Sequence, residues 1–115
     1  MEYIRKIKVF KTYYKEFYLE QTSDVRAKID YVIELIKHSD RVPKTFFKQI
    51  EGVSGLFEIR VEYAGNIYRI FCCNDEGQLV ILFNGFQKKS QKTPSDEIKK
   101  AKKIMSEYFD SKKGK

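Results

Sequence analysis

Arg60 and Arg69 fall in adjacent runs of alternating apolar and polar residues, and a lysine-rich stretch follows at Lys88, Lys89 and Lys92. Guanidinium groups converging on one surface can grip a phosphate at two points. They stay protonated, so they neutralise charge but are poor bases. A lysine among other cations can have a lowered pKa and serve as a base. Backbone N–H groups at the helix start signalled by Thr93-Pro94 also favour anions. Lys44 and Lys48 flank Phe46 and Phe47 in a possible loop, where they meet phosphate or merely solvent. The plainer alternatives are a cross-strand ion pair, a solvated arginine and an ordinary lysine-rich loop.

The charge distribution points the same way. Of the net +7, residues 1–85 hold 13 Lys+Arg against 12 Asp+Glu, whereas residues 86–115 hold 10 against 4. A basic end on a nearly neutral body suits a polyanionic or acidic partner, or simply keeps a helix solvated. The single histidine, His38, reads as a capping or surface residue. With no clustered metal-ligand pattern, no metal or other cofactor is expected, and a serine-hydrolase triad has little to draw on. Cys72 and Cys73 are adjacent in a strand and point to opposite faces, which disfavours a bridge between them. No apolar run approaches the roughly 20 residues of a membrane span. The N-terminal Met1–Lys6 lacks a signal-peptide apolar region, so the expected location is cytoplasmic.

These residues need a scaffold, and one domain over residues 1–115 is the size for a single core. Ile7 and Val9 alternating with Lys8 read as a first strand within residues 4–10. Residues 12–21 form a helix with Tyr14, Phe17 and Tyr18 on one side. Val25, Ile29, Val32, Ile33 and Ile36 recur at helical spacing, with Ser23 or Asp24 as the cap. The two helices form a hairpin, and Pro43 prevents further continuation. The aromatics Tyr13, Tyr14, Phe17, Tyr18, Phe46 and Phe47 are core, or stacking surfaces for bases. From Leu56 to Tyr63 the period becomes two, as in a half-buried strand. Ile67–Cys73 and Leu79–Phe86 complete a three-strand meander. A final helix carries Ile98, Ala101, Ile104, Met105 and Tyr108, with fraying expected from Ser111. The expectation is α+β, in the order β-α-α-β-β-β-α: a mostly antiparallel twisted sheet, an N-terminal helical hairpin and a C-terminal helix.

The placement of the arginines depends on the first meander turn. If Gly65-Asn66 is a two-residue loop, Ala64 faces Ile67, Glu62 faces Arg69 and Arg60 faces Phe71. Arg60 and Arg69 are then diagonal neighbours on one face, with Arg69 solvated. A three-residue loop sets Arg69 opposite Val61 and turns it to the other face.

The runs Gly55-Leu56-Phe57-Glu58-Ile59-Arg60-Val61, Ile67-Tyr68-Arg69-Ile70-Phe71, Leu82 through Pro94, and Glu97-Ile98 with Ala101 carry a further signal. Together they resemble the phage-derived HigB-like branch of the RelE/ParE toxin superfamily. The resemblance spans roughly residues 45–105; residues 1–44 match only in helical arrangement. It implies a RelE-like fold and a type II toxin–antitoxin toxin. It also implies metal-free cleavage of mRNA, usually on the ribosome, and a cognate helix-turn-helix antitoxin. By motif, Arg60 and Arg69 are catalytic, as are Lys88 and Lys89, which fall near the basic position after the last strand and of which one is the base. Glu58 stands where some relatives carry a second lysine. The His or Tyr that several relatives use near the C-terminus is missing. Tyr68 and Lys48 are substitutes for it and, with Lys92, substrate-binding candidates. The alternative is a non-catalytic protein of the same fold, such as a ParE-like gyrase inhibitor or a phage protein that binds host machinery.

Overall fold

A computed structural model describes residues 4–77, 79–88 and 94–113. The elements are β1 (Lys6–Val9), α1 (Tyr13–Leu19), α2 (Ser23–His38), β2 (Phe47–Gln49), β3 (Leu56–Tyr63), β4 (Asn66–Asp75), β5 (Leu79–Lys88) and α3 (Ser95–Lys113). The five strands form one sheet in the order β1-β5-β4-β3-β2. β1 lies parallel to β5, and every other pairing is antiparallel. The α+β class and the expected elements are present, with one addition. The β2 strand pairs Lys48 with Glu58, so Lys48 sits on the sheet rather than in a loop.

Each helix forms where its apolar stripe has something to cover. Val25, Ile29, Val32, Ile33 and Ile36 of α2 are all buried, as their spacing predicts. They pack with Phe17, Ile59, Val61, Tyr68 and Ile70 on one sheet face. The cap of α2 is Thr22 rather than Ser23 or Asp24: its side chain accepts a hydrogen bond from Val25 N at 3.3 Å. The other end is held from outside the helix. Arg5 donates to the carbonyls of Ile36, Ser39 and Asp40, groups that a helix C-terminus leaves unpaired. His38 pairs with Glu34 across one helical turn.

The opposite sheet face is divided. Leu56, Phe71, Cys73, Ile81 and Phe83 pack under Ala101 and Ile104 of α3. Helix α3 runs to Lys113, past the fraying expected from Ser111. Lys112 and Tyr108 both donate to the Asp75 carboxylate at the β4 end, each at 2.5 Å. These donors hold the Asp75 carboxyl below its ordinary pKa. No described helix is long and apolar enough to cross a membrane.

A local irregularity in β5 admits α1. Ile70 pairs with Gly85 and Cys72 with Leu82, so Phe71 alone faces both Phe83 and Asn84. This is a β-bulge, which bends and twists the strand. A Cβ at the adjacent Gly85 would lie 2.6 Å from Phe17 Cδ2 and 2.7 Å from Cγ. Phe17 is itself buried in the core cluster, so shifting its ring disturbs the residues packed with it. Gly85→Ala is therefore expected to lower unfolding stability by about 1–3 kcal/mol through overpacking. Urea denaturation measures it, and an unchanged midpoint would show that α1 yields at no cost.

Candidate functional site

The β3–β4 turn determines what the arginines meet. Tyr63 pairs with Asn66, so the two-residue loop is Ala64-Gly65 and not Gly65-Asn66. Ala64 has φ 52° and Gly65 φ 84°, the positive angles at both central positions that a type I′ turn requires. The register moves accordingly. Arg60 stands directly opposite Arg69, Glu62 opposite Ile67, and Glu58 opposite Phe71. The two arginines do share a face, but as a direct pair rather than a diagonal one.

Like charges directly opposite each other repel, and Glu58 relieves the conflict. Arg69 Nη1 donates to Glu58 Oε1 at 2.6 Å, with the two side chains only 8% and 3% exposed. The solvated Arg69 paired with Glu62 that the sequence suggested is thus replaced by a buried ion pair. Arg60 takes Glu62 instead, Nη2 to Oε1 at 3.3 Å, and stays 27% exposed. Lys48 reaches toward the same Glu58 oxygen at 3.9 Å, while its side chain remains 53% exposed. Lys88 pairs with Ile67 at the end of β5, on the face that carries Arg69.

The sheet face beyond α3 therefore gathers Lys48, Glu58, Arg60, Arg69 and Lys88. The Lys88 ammonium is held below the ordinary lysine pKa. Partial burial is the main cause, and the Arg69, Arg60 and Lys48 charges add to it against the opposing pull of Glu58. Four cations face two carboxylates, Glu58 and Glu62, so the patch keeps a positive excess that suits an anion. Within the buried pair, Glu58 Oε2 and Arg69 Nε have no hydrogen-bond partner among the described residues. The side-chain amide of Asn84, in the bulge, is likewise unpaired.

Some of the expected site residues lie elsewhere. Tyr68 is 5% exposed and belongs to the core beneath the helical hairpin, on the opposite face. This follows from its pairing with Val61, and it removes Tyr68 from substrate contact. Lys89 and Lys92 lie outside the described residues. Most of the early aromatics are core: Phe17 is buried, and Tyr13, Tyr14, Tyr18, Phe46 and Phe47 pack against the clusters. The role of Glu58 was the main omission, although strand alternation already put it on the Arg60 face. Among the described residues no His, Cys, Asp and Glu side chains form a metal-holding group.

The residues of this patch fall within a known sequence family. A family model described as "Phage derived protein Gp49-like (DUF891)" matches residues 16–106, which include every residue of the cluster. The chain belongs to the Gp49-like family. The Gp49-like family is toxin-like and falls within the RelE superfamily. No curated protein matches the chain.

The buried pair of this Gp49-like chain makes a stability prediction. Removing one partner of a buried ion pair typically costs about 3–5 kcal/mol, because the other charge is left uncompensated. Arg69→Ala should lose stability on that scale. The double variant Arg69→Met with Glu58→Leu should match or exceed wild-type stability. Urea denaturation of wild type, single and double variants checks this, and wild-type stability in Arg69→Ala would show the pair to be solvated.

Proposed function

We propose that this protein is an mRNA endoribonuclease of the HigB-like branch, the toxin of a type II toxin–antitoxin pair, acting on the ribosome without a metal. The observation that carries the reading is the convergence of Lys48, Arg60 and Lys88 around the buried Arg69–Glu58 pair, on the part of the sheet face beyond α3. Membership of a toxin-like family supports it. The expected partners are mRNA and a helix-turn-helix antitoxin encoded beside the toxin.

The chemistry follows from the charges. A ribose 2′-hydroxyl attacks the adjacent phosphorus; the new O2′–P bond forms as the P–O5′ bond breaks. Lys88, whose pKa is lowered, accepts the 2′-hydroxyl proton in its neutral form. Arg60 and the Arg69 edge face the charge that builds on the non-bridging oxygens. Lys48 returns a proton to the departing O5′. The products are a 2′,3′-cyclic phosphate and a 5′-hydroxyl. Glu58 holds Arg69 in place and needs no contact with RNA.

Two outcomes are expected. Arg60→Ala should fold normally and cut about 10²–10³-fold more slowly, the usual loss for one transition-state stabiliser. Primer extension on mRNA after induction, beside a thermal melt, reads both. DNA damage without new mRNA ends would instead favour a gyrase inhibitor. The second outcome concerns pH. Only the neutral amine accepts a proton, so the rate should rise with pH and level off below the ordinary lysine pKa. Lys88→Ala should lower the rate and remove that rise. An unchanged profile in Lys88→Ala would exclude Lys88 as the base.

A further inference from the structure

Few large apolar side chains are exposed among the described residues, and two of them share one cleft. Tyr31 on α2 is 60% exposed and Tyr63 at the end of β3 is 36% exposed. They come from distant parts of the chain and line a cleft with Asp24, Ala27 and Lys28. A second cleft shares Lys28 and is lined by Thr45, Phe46, Arg60 and Glu62. The two clefts meet at Lys28: the rings lie on the helical-hairpin side of the sheet, and the second cleft reaches Arg60 round the edge of β3. Lys28 Nζ lies 5.2 Å from the centre of the Tyr31 ring.

The charges along this path cancel. Lys28 and Arg60 are matched by Asp24 and Glu62, and Arg60 is already bonded to Glu62. The path is therefore a poor track for phosphates. What it presents is aromatic surface, and a nucleobase is the part of a nucleic acid that stacks on a ring without needing a charge. Both clefts are shallow and open to solvent, so they suit a flat base laid against a ring rather than a ligand that must be enclosed. Bases in a duplex keep their faces covered, so only an unpaired strand can use the rings.

We infer that the Tyr31–Tyr63 cleft is a base-stacking subsite that holds unpaired nucleotides of single-stranded RNA flanking the phosphate bound at the cationic cluster. This rests on the functional reading above and adds to it where the RNA is gripped by its bases, on one side of the cut. Charge and stacking are divided between two surfaces. The cluster supplies the salt-dependent part of binding and the rings a salt-insensitive part.

The test is fluorescence anisotropy with a labelled, unstructured RNA of about 12 nucleotides, within the span that single-strand binders cover. Its riboses are 2′-O-methylated so that it cannot be cut. Tyr31→Ala and Tyr63→Ala should each weaken binding roughly 10- to 100-fold, the usual range for loss of one stacked base. The slope of log affinity against log salt should not change. Tyr31→Phe and Tyr63→Phe keep the ring and should bind like wild type, with thermal melts confirming the fold of every variant. Lys48→Ala should instead reduce the salt slope by about 0.7. Wild-type affinity in both alanine variants, with Lys48→Ala weakened, would overturn the stacking subsite alone and leave the cleft to a protein partner. Failure of the wild-type protein to bind the RNA at low salt would overturn the subsite; cleavage of mRNA on ribosomes by the same preparation would then leave the nuclease reading standing, and intact mRNA would overturn that as well.

Discussion

The buried pair between Arg69 and Glu58 is the constraint around which the candidate site is arranged. A guanidinium 8% exposed must be compensated, and Glu58 Oε1 does this at 2.6 Å. Desolvating two charges gives little net stability, so hydrophobic residues of similar volume would hold the sheet as well or better. The pair instead fixes the position of a cation. It keeps Arg69 beside the directly opposed Arg60, where mutual repulsion would otherwise splay the side chains. The same Glu58 oxygen is also within 3.9 Å of the exposed Lys48 ammonium on β2. The result is a positive surface with an internal counter-ion, preorganised before any substrate arrives.

That arrangement needs a sheet face only partly covered. Helix α3 buries its stripe over Leu56, Phe71, Cys73, Ile81 and Phe83. The Asp75 contacts with Tyr108 and Lys112 anchor it there. The opposite face is closed by the helical hairpin, seated against Gly85 at the bulge. The charged residues thus occupy ground that neither helical layer needs for its core.

Much of this was legible in the sequence because it depends on periodicity. The apolar stripe of α2, the alternation of β3 and the stripe of α3 each follow from the face they bury. The hairpin register was harder. Ala64-Gly65-Asn66 offers two possible two-residue loops, and both contain a glycine. The observed choice sets Val61 against Tyr68 and Ile59 against Ile70; the other loop slides the strands by two residues and still sets core against core, Val61 against Ile70 and Ile59 against Cys72. Local turn chemistry favoured the other loop, because alanine at φ 52° is less comfortable than asparagine or glycine. Strand parity is the same for both loops and does not choose between them; the observed one sets Arg60 directly opposite Arg69. The short β2 strand escaped notice because Phe47–Gln49 is too brief to show alternation. Tyr68 was misplaced for a simpler reason: motif position says nothing about which face a side chain takes, whereas strand parity does.

The central claim is that this cationic surface cleaves RNA through the 2′-hydroxyl. The most direct measurement is chemical analysis of the ends left when purified protein meets mRNA on programmed ribosomes. Cuts ending in a 2′,3′-cyclic phosphate and beginning with a 5′-hydroxyl are the predicted result. A 3′-hydroxyl paired with a 5′-phosphate, or intact mRNA with folded protein, would contradict the account.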